Sequence, residues 1–266
     1  PPKIVSHPPE TKLLSEGEEL RLGCKATGKP IPEVSWYKDY VELIEGKGSA
    51  EYLNQDVSRR DNGNYKCVAR NNASQVEHTV QVIVRYKPVG TKIKTDAKSD
   101  TLETGEDLKI VCEADSKPNP IFDLFHHSEV GLGREVVKVQ TTETGEFYIK
   151  NIKPSQRGNY SCIPHNNVGQ GAEALVRVFV RFSPVIRKLS PTKLNLTKNE
   201  PLLISCDIEG YPLPQLTWTD GNGKNIGSER IFKIPHVHES DQGVYTCSAS
   251  NGILPNANKS VHIKVF

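Results

Sequence analysis

Three times along this 266-residue chain a cysteine is approached in the same way, with Gly four residues before it and Tyr two before it. The copies are "SRRDNGNYKC" ending at Cys67, "PSQRGNYSC" ending at Cys162 and "ESDQGVYTC" ending at Cys247. Each has an upstream partner, Cys24, Cys112 or Cys206, some 41 to 50 residues earlier. Six cysteines in widely spaced pairs fit one disulfide per repeat, and three pairs of buried free thiols are the alternative. Closing loops of that length would stabilise each repeat by roughly 4 kcal/mol on a chain-entropy account. No CxxC or Cys/His cluster has zinc-like spacing. Four Asn-x-Ser/Thr sequons, at Asn72, Asn159, Asn195 and Asn258, favour the oxidised, secreted or cell-surface reading.

The repeats reach beyond their cysteines. "GEELRLGC", "GEDLKIVC" and "NEPLLISC" lead into the first cysteine of each pair. Leu20, Leu22 and Cys24 alternate with other residues, as do Leu108, Ile110 and Cys112, and Leu202, Ile204 and Cys206. Period two is a strand with one buried face. Pro-rich turns follow ("GKPIPEVSW", "SKPNPIFDL", "GYPLPQLTW"), since Pro cannot donate to a ladder. Twelve residues after the first cysteine stands Trp36, Leu124 or Trp218. Further strands place Phe147, Ile149 and Ile152, or Phe232, Ile234 and Val237, inward. The first repeat has Tyr52, Asn54 and Val57 there, so Asn54 is expected to need a buried partner. Valine-rich strands close each repeat. No apolar stripe of helical period is present. Short strands at even spacing predict an all-β sandwich.

Cys24…Trp36…Asp61-x-Gly63-x-Tyr65-x-Cys67 resembles the immunoglobulin superfamily, intermediate (I-set) type, and Cys206…Trp218…Asp241-x-Gly243-x-Tyr245-x-Cys247 repeats the match. The resemblance covers the chain as three tandem domains, 1–86, 87–182 and 183–266, in an elongated array. It implies two sheets tied by a disulfide between strands B and F, with Trp packed on the bridge. It also implies a corner at Tyr65, Tyr160 and Tyr245, each hydroxyl bonding back to the turn before strand F. The family's Asp pairs with a basic residue near strand D, which points to Arg230 for Asp241. The middle repeat departs twice: Gln156 replaces the Asp, removing that ion pair, and Leu124 replaces the Trp. Phe122, two residues earlier on the same face, is the expected filler.

Net charge is +2, so no strong field argues for nucleic acid or an anionic membrane. No apolar run approaches the ~20 residues of a membrane span. Without Met or a signal core, the chain is expected to be a processed or trimmed segment, with any membrane anchor outside it. No catalytic, metal or cofactor constellation survives inspection. "GLGREV" lacks the third Gly of a nucleotide fingerprint, and "DGNGKN" has Lys224 where a calcium ligand should stand; both read as turns. His236 and His238 share a strand face without a third ligand and are expected in solvent. His126 and His127 should point to opposite faces.

Function is therefore sought on exposed sheet faces and loops. Inward Trp36, Cys67 and Val82 set a register that turns Tyr37, Val68 and Ile83 outward, a candidate docking patch free of sequons. In the second repeat Asp123, Phe125 and His127 face outward, and Pro164 should bend or stop strand pairing near His165 and Asn166. Asn159 should face solvent and shield that repeat if glycosylated. At the joints "VRYKPV" and "VRFSPV", each last strand runs into the next first strand, with Tyr86 and Phe182 half-buried between domains. The resemblance implies an extracellular module for adhesion between cells, with axon guidance and nervous-system wiring as the setting. Its partner would be another immunoglobulin-superfamily protein or itself. A receptor kinase or phosphatase ectodomain, and a structural array of muscle or matrix, are the alternatives.

Overall fold

The computed structural model describes residues 1–97, 101–128, 135–190 and 193–266. The first repeat forms β1 (Lys3–Ser6), β2 (Thr11–Ser15), β3 (Leu20–Thr27), β4 (Glu33–Lys38), β5 (Val41–Lys47), β6 (Ser49–Asn54), β7 (Gly63–Arg70) and β8 (Gln75–Thr95). The second adds β9 (Thr101–Glu103), β10 (Leu108–Lys117), β11 (Ile121–Ser128), β12 (Val136–Thr142), β13 (Glu146–Ile149), β14 (Gly158–His165) and β15 (Ala174–Leu189). The third holds β16 (Lys193–Leu196), β17 (Leu202–Tyr211), β18 (Gln215–Thr219), β19 (Asn225–Gly227), β20 (Ile231–Ile234), β21 (Gly243–Ser250) and β22 (Ala257–Val265). The only helical turns among the described residues are three-residue 3-10 turns before β7, β14 and β21.

Each repeat is a sandwich with its own buried cluster. Trp36, Tyr65 and the Cys24–Cys67 bridge centre the first. Leu124, Phe122, Tyr160 and Cys112–Cys162 centre the second, and Trp218 and Cys206–Cys247 the third. The alternation read from sequence is visible in β3, where Leu20, Leu22 and Cys24 are fully buried between exposed or half-buried neighbours. The Gly of each cysteine motif has φ of 141°, 127° or 155° (Gly63, Gly158, Gly243), which L side chains rarely adopt. That explains why all three copies keep it. All three tyrosines form the corner: Tyr65, Tyr160 and Tyr245 donate to the carbonyls of Asp61, Gln156 and Asp241 at 3.1, 2.7 and 2.9 Å.

The strand at each joint is continuous. β8 pairs with β7 through Val82, then with β10 from Tyr86 onward, so one seven-stranded sheet serves two repeats. β15 does the same between the second and third repeats, pairing β14 and then β17 from Phe182. Tyr86 and Phe182 are each 8% exposed, more buried than the half-burial expected, because both flanking units close over them. The Arg59 guanidinium lies 4.6 Å from the Tyr86 ring centre, and the Tyr86 hydroxyl donates to Asp115 of the next repeat. Arg157 covers Phe182 at 5.1 Å and pairs with Glu209, which Arg187 also engages. Asn166 and Asn251 donate to the carbonyls of Tyr86 and Phe182 at 2.9 and 3.0 Å.

Several expectations are corrected. Arg230 pairs with Asp207 at 3.3 Å rather than with Asp241. Asp241 instead accepts from the backbone N–H of His238, and Asp61 from that of Ser58, both at 2.8 Å. Gln156 accepts from the Lys153 N–H at 2.9 Å, so the middle repeat keeps the turn-closing bond and loses no ion pair. Asn54 has no deep partner: it is half-buried and accepts from the Asp56 N–H at 3.2 Å, a local turn. The expected stop at Pro164 holds on one side only: the ladder to β15 ends at Cys162, two residues before it, while pairing with β11 runs on through Pro164 to His165.

Candidate protein interface

The outer face of the first repeat's larger sheet is built by β5, β4, β7 and β8 in that order. Trp36, Tyr65, Cys67 and Val80 point into the sandwich and are 0% exposed. Strand geometry then sends the alternate residues outward. Register places Ser35 opposite Val68 and Glu45, and Tyr37 opposite Lys66 and Glu42. Tyr37 and Val68, both half-buried, line one open concavity of about 640 Å³ with Ser35 at its floor. The Tyr37 hydroxyl donates to the Glu42 carboxylate; that hydrogen bond, with burial, raises the phenol above its ordinary value. Lys66 pairs with Glu77 at 3.2 Å across the face.

Tyr40 sits at the lip of this concavity and was not anticipated from sequence. It occupies the two-residue β4–β5 turn with Asp39, at φ of 67° and 47°. Positive φ at both central residues suits the twist of a tight hairpin, where Gly or Asn is the usual occupant. A bulky residue there is strained, and this one is fully solvent-exposed. The legible signal was an aromatic inside the turn "KDYV". Ile83 also faces outward, but it stands beside Leu13 of β2, past the end of β7, and does not line the concavity. The three-residue patch is therefore divided into Tyr37 with Val68, and Ile83 apart.

Elsewhere the structure assigns the other sequence candidates. Asn72, Asn195 and Asn258 are exposed. Asn72 shares a shallow groove with Ile31, Glu33 and Arg70 at the loop end of the same face. Asn159 is half-buried on the outer face of the second repeat, between His127 and Arg177 in register. On that face Asp123 is tied to Lys138 at 2.7 Å, Thr141 at 2.6 Å and His165 at 3.3 Å. His127 bonds the fully buried Ser161 hydroxyl at 2.8 Å, while His126 stacks on Tyr160, so the two do point to opposite faces. Asn166, singled out as a loop residue, serves the joint. His236 and His238 are exposed. Asp220 caps the "DGNGKN" turn by accepting from the N–H groups of Asn222 and Lys224. Residues 131–134 of "GLGREV" lie outside the described residues. Among the described residues, no group of three or more His, Cys, Asp or Glu is arranged to hold a metal ion, and no helix is long and apolar enough to cross a membrane.

The family model described as "Immunoglobulin domain" matches residues 1–71, 87–166 and 183–251. Neurofascin of Gallus gallus is 26% identical over 96% of this chain and 19% of its own length. Contactin-5 of Danio rerio is 26% identical over 94% of this chain and 24% of its own length. The chain thus spans at most about a quarter of the length of these relatives. A chain in the crystal structure of Dpr2 Ig1-Ig2 in complex with DIP-Theta Ig1-Ig3 superposes with a TM-score of 0.67 at 17% identity, covering 100% of this chain and 99% of that one.

Proposed function

The chain belongs to the immunoglobulin domain family, and from that premise we propose that it is the extracellular recognition segment of an adhesion protein. In this reading it comprises units 1–86, 87–182 and 183–266, and docks another immunoglobulin-type protein through the outer face of the first. The observation that carries the reading is the open concavity holding Tyr37 and Val68, with Tyr40 presented at its lip. Aromatic and aliphatic groups ringed by polar ones have the composition of a protein interface. The solved structure reported above, of like fold, is a complex between immunoglobulin-domain proteins, which supports a partner of that class. Three disulfides support an oxidising compartment over a reducing one, and so favour this reading over a muscle array. The coded joints would hold the three units as a spacer presenting the first. Enzymatic chemistry has no part in the proposal.

The test is binding of the oligomerised chain to cells from the source tissue. Val68→Glu is expected to remove staining while leaving the thermal midpoint within a degree or two. Equal staining by the variant and the parent chain would overturn the assignment of the face.

A further inference from the structure

The concavity of the first repeat is charged in one sense. Glu33, Asp39, Glu42, Glu45 and Glu77 line it, against Lys66 and Arg70. The excess is local, because residues 1–86 as a whole carry twelve basic and twelve acidic side chains. Arg70 opposes Glu33 in register inside the concavity, which leaves the lining at five acids against two cations; the other nearby cations are engaged or stand apart. Lys38 donates to the Arg60 carbonyl and lies over the Tyr65 ring, at the end of the sheet. Lys47 opposes Glu33 in register but stands outside the concavity. Lys66 is spent on Glu77. Glu33 and Glu45 are exposed, and no salt bridge occupies either of them among the described residues. The face is thus a small apolar centre, Tyr37 with Val68, inside an acidic rim.

We propose that this face is built for a basic counterpart, and that docking through it is heterophilic: the partner is a protein surface carrying surplus Lys and Arg around an apolar centre, not a second copy of this face. The inference rests on the docking face proposed above and adds the chemistry of its occupant. A symmetric dimer puts the same patch on both subunits. Two copies of this face would bring one net-negative rim against another, and like charges across an interface select against that pairing. A basic surface meets the rim with the opposite sign, gaining in encounter rate and in register.

The chain itself supplies a probe. Glu33→Lys, Glu45→Lys and Glu77→Lys together turn the rim basic with the backbone and the apolar centre unchanged, all three residues being exposed. Sedimentation of the parent chain, the triple variant and their equimolar mixture compares like-charged with oppositely charged faces. The mixture is expected to associate at least ~10-fold more tightly than either chain alone at low salt, and to lose most of that gain by ~0.5 M salt, where the Debye length has shrunk well below 10 Å. A parent chain that self-associates as tightly as the mixture, or a mixture no tighter than the parent alone, overturns the inference. Placing Val68→Glu in the parent copy separates the two readings. It adds to the charge attraction while spoiling the apolar contact. Loss of mixed association upholds both the contact and the charge rule; undiminished association upholds the charge rule and removes Tyr37–Val68 as the contact.

Discussion

The first and second repeats solve one structural problem with different side chains. Both seat a cysteine bridge under a large residue, close the turn before β7 or β14 with a side-chain acceptor, and latch it with a tyrosine. The first uses Trp36 over a smaller neighbour, Val34. The second uses Leu124, with Phe122 taking the place of Val34, and both are buried in its core. Volume is moved by two residues rather than lost, and interiors tolerate such exchanges when the total is kept. The acceptor has changed likewise, from a carboxylate to an amide oxygen, with the hydrogen bond retained. The motif therefore specifies geometry, and the outward residues at the same positions, Ser35, Tyr37 and Val68 against Asp123, Phe125 and Ile163, are where the repeats diverge in chemistry.

The comparison breaks first at the core. Phe122→Ala should destabilise the second repeat by about 3–5 kcal/mol, more than Leu124→Ala, and comparably to Trp36→Ala in the first. Hydrogen exchange at the β14 and β7 amides would report each repeat separately. Equal losses of protection for Phe122→Ala and Leu124→Ala would show that the volume is not concentrated at Phe122. Next in size is the tyrosine latch. Tyr65→Phe and Tyr160→Phe keep the ring and remove one hydrogen bond to a carbonyl, an effect of about 1 kcal/mol each. Because the two bonds are equivalent in placement, a latch effect confined to one repeat in the same exchange measurement would break the analogy.

Smaller still is the change of acceptor. Asp61 takes hydrogen bonds from both the N–H and the hydroxyl of Ser58, whereas Gln156 takes one, from the N–H of Lys153. Ionised acceptors form the stronger bonds, so Asp61→Ala should cost about 1 kcal/mol and Gln156→Ala about half of that. Chemical denaturation of the two variants against the parent chain decides it, and a larger loss at Gln156 would reverse the ranking.

Much of this architecture could be read from residues. The period-two runs, the cysteine pairs and the Gly-x-Tyr-x-Cys motif carry their geometry in local spacing, so the strands, the latches and the inward register of Trp36 and Cys67 were accessible. The partner of a long side chain was not. Arg230 reaches Asp207 rather than Asp241 because antiparallel pairing of β17 with β20 brings two distant stretches together. The joints were visible as Tyr86 and Phe182, but Arg59, Asp115 and Asn166 at the first and Arg157, Glu209 and Asn251 at the second come from six separate turns or strands and converge only in three dimensions. Of the candidate patch, alternation turns Tyr37, Val68 and Ile83 outward, as the strand register does. It carries no information on how far along the sheet each lies, so Ile83 was grouped with residues it does not approach.

The smallest expected effect lies on the outer faces, and it separates the repeats by pH. At the position of Ser35 the second repeat has Asp123. Burial pushes its carboxyl upward, but hydrogen bonds from Lys138 and Thr141 and the nearby charges outweigh that and hold it below its ordinary 3.8. A carboxyl with a depressed folded value stabilises the fold fully above its unfolded value and loses that stabilisation as pH falls through the folded one. The second repeat should therefore gain a share of its stability above about pH 4 and shed it below, in a window the first repeat, with Ser35 there, lacks at this site. Following exchange protection of β14 and β7 from pH 6 down to pH 3 tests the difference, with Asp123→Asn as the control. The substitution should flatten the acid limb of the second repeat alone and leave the first unmoved. An acid limb of unchanged steepness in Asp123→Asn would assign the loss to other carboxylates and leave the two outer faces alike in this respect.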